Sequence, residues 1–219
     1  MSAGGRAGKV RLERRLLTAR HGAMLLERKQ HIMAEELERL QLHADDVTRE
    51  WEQRARDAAQ WLRRAEALDG RERIERASPP ESAEVEIHWG GAMGVVYPEN
   101  ATCVPPAPPS AGGSSALSFA ALAHRDALMA AVKHAAIQRA VLLVSTELAS
   151  TRTRQRSVEN RWIPRLEEEL RALHRKLEDQ ELEESLRVRW AADRTTRTVG
   201  SPASTGASLT GSSREKRAP

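Results

Sequence analysis

The sequence predicts an all-α chain, a long antiparallel two-helix coiled coil with a short β-hairpin in the connection between its helices. Three observations point there. Apolar residues recur in alternating steps of three and four over two long stretches, the two stretches are separated by a segment rich in Pro and Gly, and aromatic residues are scarce. One Phe, one Tyr and five Trp make up 3% of 219 residues, while charged residues make up 30%. A compact globular core draws on aromatic side chains for large buried areas. A composition dominated by Ala, Leu, Arg and Glu instead suits long helices packed along a narrow seam.

Residues 1–8 read as a flexible N-terminus and residues 9–69 as the first helix. Its seam runs Leu12, Leu16, Ala19, Ala23, Leu26, Gln30, Met33, Leu37, Leu40, Ala44, Val47 and Trp51. It continues through Ala55, Ala58, Leu62 and Ala65 after two successive steps of four, a stutter that locally unwinds a left-handed supercoil. No proline interrupts the stretch, and at 1.5 Å per residue it extends roughly 90 Å. Glu35–Arg39, Glu50–Arg54 and Glu52–Arg56 have the spacing of supporting ion pairs, as does Glu167–Arg171 farther on.

Residues 70–115 form the connection. Gly70 and Ser78-Pro79-Pro80 end the first helix. Val85, Ile87 and Trp89 alternate with polar residues, Gly90-Gly91 follows, and Met93, Val95 and Tyr97 alternate again, so a hairpin is expected over 85–97 with its turn at the paired glycines. Gly94 lies in the same segment. Pro105–Pro109 and Gly112–Ser115 read as a linker. The second helix is expected over 116–194, capped by Ser114 or Ser115. Its seam is clearest at Ile163, Leu166, Leu170, Leu173 and Leu177. Pro164 lies inside it and predicts a kink. Residues 195–219, nearly devoid of apolar side chains, are expected to be disordered.

No residue pattern points to catalysis. Gly4–Val10 lacks the first glycine and the Ser or Thr of a phosphate-binding loop. His124-Arg125-Asp126 imitates part of a kinase catalytic loop without its companions. The seven histidines hold no metal-binding spacing, and the single Cys103 excludes an internal disulfide. No cofactor or metal is expected, and the chain is read as a non-catalytic protein. Its 35 basic and 31 acidic residues are interspersed along the chain, which favours solvated helix faces over a nucleic-acid footprint. The absence of an N-terminal apolar stretch or a run near 20 apolar residues predicts a cytoplasmic protein without direct membrane insertion. Gly22, inside a helix, marks either a close backbone contact or a tolerated flaw.

Three segments carry a resemblance. Leu12, Arg15, Leu16, Ala19, Gly22, Leu25, Leu26 and Lys29 stand in the order and spacing of the opening helix of the V/A-type ATPase D subunits. Val158-Glu159-Asn160 leading into Ile163-Pro164-Arg165-Leu166-Glu167 resembles that family's second signature. Met93-Gly94-Val95 with Pro98-Glu99 is similar to its central segment. The resemblance implies a central-stalk rotor shaft that couples ATP hydrolysis or synthesis to rotation of a membrane rotor moving protons or sodium ions. It also implies the partners: catalytic and non-catalytic nucleotide-binding ring subunits, the small F subunit of the central stalk, and a subunit coupling to the membrane rotor. The shaft would then be peripheral to the membrane on its cytoplasmic side. The alternatives from the residues themselves are an unrelated helical-hairpin scaffold or a basic coiled coil that binds nucleic acid or a membrane.

Overall fold

The computed structural model describes residues 5–107 and 112–199. Helix α1 spans Arg6–Asp69 and a short α2 Arg71–Ala77. Strands β1 (Glu84–Ala92) and β2 (Val95–Val104) follow, then α3 (Ser115–Ser157), a π-helical turn (Val158–Trp162) and α4 (Ile163–Val199). The chain is thus mostly helical with one antiparallel β-hairpin. The residues group into two packed units, one of residues 14–166 and one combining those up to 13 with those from 167 onward.

Within residues 14–166, α1 and α3 run antiparallel. Asp69 meets Ser114, Trp61 stacks on Phe119, Trp51 stacks on His134, and Gln30 bonds Gln155. As residue number rises on one helix it falls on the other. Seam positions Leu16, Ala23, Met33, Leu40, Ala44, Val47, Ala58 and Ala65 are buried on α1. Of these, Met33, Leu40, Ala44 and Val47 cluster with Ile137, Ala140, Val144 and Leu148 of α3, and Ala65 clusters with Ala116, Leu117 and Ala120. Small alanines allow close helix approach. The few aromatic residues fill the wider gaps: the Trp51–His134 rings lie 4.7 Å apart and the Trp61–Phe119 rings 4.8 Å apart. Arg64 sits over the Trp61 ring at 4.5 Å.

Gly70 ends α1 in a left-handed conformation (φ 75°), with its N–H returning to the Glu66 carbonyl at 3.1 Å. Ser114 caps α3, its Oγ accepting from the Leu117 N–H at 3.3 Å. The Asp69 carboxylate accepts from the Ser114 N–H at 2.9 Å and from its hydroxyl, so one carboxylate ties the end of α1 to the start of α3. These hydrogen bonds hold the Asp69 carboxyl below its usual pKa.

The hairpin differs from its expected form. Its turn is Met93-Gly94, not Gly90-Gly91, and both turn residues have positive φ, 50° and 85°. That requirement marks the primed turn that matches strand twist. Gly90 and Gly91 lie inside β1, where a Cβ on Gly90 would meet Glu99 Oε2 at 2.7 Å and one on Gly91 the Val95 carbonyl oxygen at 2.9 Å. The glycines serve close strand approach rather than the turn. The strands also run past residues 85–97. Register shifts between His88 and Trp89, which pair with Asn100 and Pro98, so Glu99 is the extra residue of a bulge. Pro98, which has no N–H to donate to a ladder, is accommodated beside that bulge.

Other expectations change: α1 begins at Arg6, inside the expected flexible N-terminus, and the short helix α2 lies inside the expected connection. Around Pro164 the helix continues, as expected, and the disturbance takes the form of the π turn Val158–Trp162, where the Ile163 N–H returns to the Val158 carbonyl. Proline lacks the next donor, and a wider turn redistributes the carbonyls it leaves unmet. Residues 195–199 continue α4 rather than starting a tail. Residues 1–4, 108–111 and 200–219, which include parts of the expected N-terminus, linker and tail, lie outside the described residues. Finally, the helical stretch Ser115–Arg194 holds an 18-residue window of mean hydropathy 1.5, apolar enough by length and composition to cross a membrane. A search for runs of large apolar residues passes over it because alanines raise the hydropathy. That stretch includes the buried positions that α3 packs against α1 and the hairpin.

In the other unit, Arg6 reaches Glu181 at 3.4 Å and Lys9 lies 4.0 Å from Glu13. Leu170, Leu173 and Leu177 are half-buried. Leu182, Leu186 and Trp190, spaced four apart on α4, are exposed.

Candidate interaction surfaces

The β-hairpin is anchored to the helical pair through β2. Tyr97 is 4% exposed and belongs to the cluster of Met33, Leu40, Ile137, Ala140 and Val144. Its hydroxyl donates to Glu36 Oε1 at 2.6 Å, and Arg39 Nε and Nη2 grip the same carboxylate at 3.0 and 2.6 Å. The Arg39 hydrogen bond holds the Glu36 carboxyl below its ordinary value, with the Tyr97 hydroxyl adding to it. Burial, then the neighbouring carboxylate, pushes the Tyr97 phenol up. Arg39 therefore pairs with Glu36, three residues back, rather than the expected Glu35, which instead faces His31 at 3.2 Å.

Cross-helix polar contacts fix the register of the pair. Lys29 Nζ donates to Glu147 Oε1 at 3.1 Å, and Arg54 reaches Asp126 at 3.4 Å in place of the expected Glu50. Gln30, at a seam position, bonds Gln155, and Thr151 nearby is buried with its hydroxyl unpartnered. Polar groups in an otherwise apolar seam favour one register over slipped ones. Glu52–Arg56 forms as expected at 3.3 Å, whereas Arg171 Nε turns to the Glu167 carbonyl at 3.3 Å.

The kinase-like tripeptide is dispersed around its helix. His124 Nδ1 contacts the Ala120 carbonyl at 2.8 Å, Arg125 donates to the Pro106 carbonyl, and Asp126 faces Arg54. Among the described residues no group of three or more His, Cys, Asp or Glu side chains is placed to hold a metal. An apolar cavity of about 390 Å³ lies where α2, the connection and the start of α3 meet, lined by Leu62, Ile74, Pro105, Leu117, His124 and Leu128 among others. Gly22 has open space around it, since a Cβ there would meet nothing within 4 Å. Among the described residues nothing approaches that position closely enough to require a glycine.

A family model described as that of the ATP synthase D subunit matches residues 9–193. The chain belongs to the ATP synthase D-subunit family. It is 27% identical over 198 residues to the D subunit of the A-type ATP synthase of Methanopyrus kandleri, covering 84% of this chain and 82% of that one. It is 30% identical over 191 residues to the D subunit of the V-type ATP synthase of Thermotoga neapolitana, covering 84% and 93%.

As a member of this family the chain is one component of a multi-subunit ATP synthase. The family match takes in α1, the hairpin, α3 and most of α4. Met93-Gly94 is the hairpin turn, and Pro98-Glu99 is the bulge beside Tyr97. Ile163 follows the π turn and Leu166 is buried. Sequence reasoning places Tyr97 on a strand and Arg39 beside Glu35 but passes over Glu36 and the contact that joins all three. The signal is present in a lone tyrosine on a strand, but nothing in one sequence pairs it with an acid 61 residues away.

Proposed function

We propose that the chain is the central rotor shaft of a V/A-type ATPase or ATP synthase, coupling nucleotide hydrolysis or synthesis in a surrounding ring to rotation of a membrane rotor. The observation that carries this reading is the antiparallel pairing of α1 with α3 in a member of the D-subunit family. A transmitter of torque needs side-by-side helices locked in register. The alanine-rich seam, the aromatic stacks and the Gln30–Gln155 and Lys29–Glu147 contacts supply that locking. In this role the chain performs no chemistry and holds no cofactor. Its partners are the catalytic and non-catalytic nucleotide-binding subunits, the small F subunit of the stalk and a subunit joining it to the membrane rotor, and it lies peripheral to the membrane on the cytoplasmic side.

The seam residues Leu12, Leu16, Ala19, Ala23, Leu26, Met33, Leu37, Leu40 and Val47, with Ile163, Leu166, Leu170, Leu173 and Leu177, carry stiffness. The hairpin side faces the rotor in this reading. Reconstitution tests it: purified chain added to shaft-free ring should bind stoichiometrically, and no binding to the ring or to the F subunit would overturn the proposal.

A further inference from the structure

We propose that the end of α4, residues 178–194, pairs antiparallel with the same segment of a second copy of this chain. The contact is between two free chains, so it goes beyond the shaft reading and does not depend on it. Every side chain over residues 178–194 is exposed. Leu182 (62% exposed), Leu186 (50%) and Trp190 (75%) follow one another in steps of four. Each such step turns a helix by only about 40°, so the three share one face. A helix draws most of its stability from packing an apolar face, and a contiguous stripe of large apolar side chains left in water marks a contact surface.

The charges beside the stripe select what covers it. Residues 178–184 hold five acids, Glu178, Asp179, Glu181, Glu183 and Glu184, and no base. Over residues 185–194 the balance reverses, with Arg187, Arg189 and Arg194 against Asp193 alone. Elsewhere the two signs alternate closely, as in Glu52–Arg56 and Glu72–Arg76. Glu181 is engaged by Arg6 at 3.4 Å and Glu183 by Arg187 at 3.7 Å. Glu178, Asp179, Glu184 and Arg189 form no ion pair among the described residues.

A segment divided into an acidic and a basic half complements itself only when reversed. In an antiparallel pair centred on Leu186, Leu182 of each copy lies level with Trp190 of the other, and each acidic half runs along the other's basic half. A parallel pair would set acid against acid and Arg against Arg. A partner acidic throughout would be repelled by residues 178–184, and one basic throughout by residues 185–194. The second copy carries the required division by construction. The stripe is short, so the pair is transient, with a Kd on the order of 10 µM.

The test is sedimentation equilibrium of the full chain from about 1 to 100 µM, at ~50 mM salt, where charge contributes most. The average mass should rise from one chain toward two. Leu186→Gln, which keeps a good helix former, should weaken pairing at least about tenfold. Glu178→Lys with Asp179→Lys and Glu184→Lys makes the segment predominantly basic, and Arg187→Glu with Arg189→Glu makes it predominantly acidic. Each of these variants alone should stay a single chain, and an equimolar mixture should pair; circular dichroism checks that both remain helical. In a Cys103→Ser background, Ser185→Cys near the centre should link two copies on oxidation. Glu178→Cys, about 24 Å along the helix from its own counterpart in the antiparallel pair, should not. Wild-type chain that stays single at the highest concentration overturns the proposal, as does Leu186→Gln pairing as tightly as wild type. A mixture of helical variants that stays unpaired, or cross-linking through Glu178→Cys and not Ser185→Cys, overturns it as well.

Discussion

Replacing Tyr97 by Ala should release the β-hairpin from the helices while leaving the helices paired. A two-stranded hairpin is marginal on its own in water. Here β1 is exposed over most of its length, and β2 is held by Tyr97, Pro98 and Ala101, the buried side chains of the hairpin. Truncating an almost fully buried aromatic side chain costs about 3–5 kcal/mol. The phenol–carboxylate hydrogen bond is lost as well, but Arg39 continues to hold Glu36. Taking about 3 kcal/mol as the local loss, and 1.4 kcal/mol per decade, protection of the β1–β2 amides against hydrogen exchange should fall by roughly a hundredfold. Amides around Leu40 and Val144 should change far less. Tyr97→Phe, which keeps the ring, should lower hairpin protection only by about tenfold. Unchanged hairpin protection in the Ala variant would refute the anchoring argument. An equal loss across hairpin and helices would show that they open as one unit, which also contradicts it.

Acid should loosen the same anchor. The Glu36 carboxyl is held below its ordinary value of 4.5, so the unfolded chain binds the proton more readily. Its contribution is present above the unfolded-state pKa and is lost as pH falls through the lower folded-state value. Hairpin exchange followed from pH 7 into this acid range should show that loss, and Glu36→Gln should abolish it. Met93→Asn places a residue tolerant of positive φ before Gly94 and should stabilise the hairpin by about 0.5–1 kcal/mol in urea melts; destabilisation would mean that the Met93 side chain makes a contact of its own. Gly91→Val should weaken the hairpin because its Cβ would crowd the Val95 carbonyl, with helical circular dichroism unchanged. Gly22→Ala should raise the stability of the isolated chain by up to about 1 kcal/mol, since nothing among the described residues opposes a Cβ there.

Seam and hairpin are legible in the sequence for different reasons. The three-four periodicity of Leu16, Ala23, Met33 and Leu40 records burial directly, and those residues are buried. The hairpin is legible through alternation, but the paired glycines attract the turn assignment. Positive φ at Met93 is a demand of strand twist that a methionine does not advertise. Ion pairs are the least legible. Arg39 has acids at both i−3 and i−4, and Tyr97, supplied by the hairpin, sits on the nearer one, Glu36. Arg54 leaves its helical neighbour for Asp126 because the partner helix passes within reach. Both outcomes depend on tertiary neighbours. Pro164 advertises a disturbance, and the chain absorbs it as a π turn rather than a break.

Rotation tests the central claim most directly. A chain with Cys103→Ser and an exposed cysteine introduced by Glu86→Cys on β1 can carry a bead at the hairpin while the surface-fixed ring holds the helices. The account predicts unidirectional rotation of the bead on ATP addition, halting when ATP is exhausted. A ring that hydrolyses ATP with the chain bound and the bead stationary would contradict it.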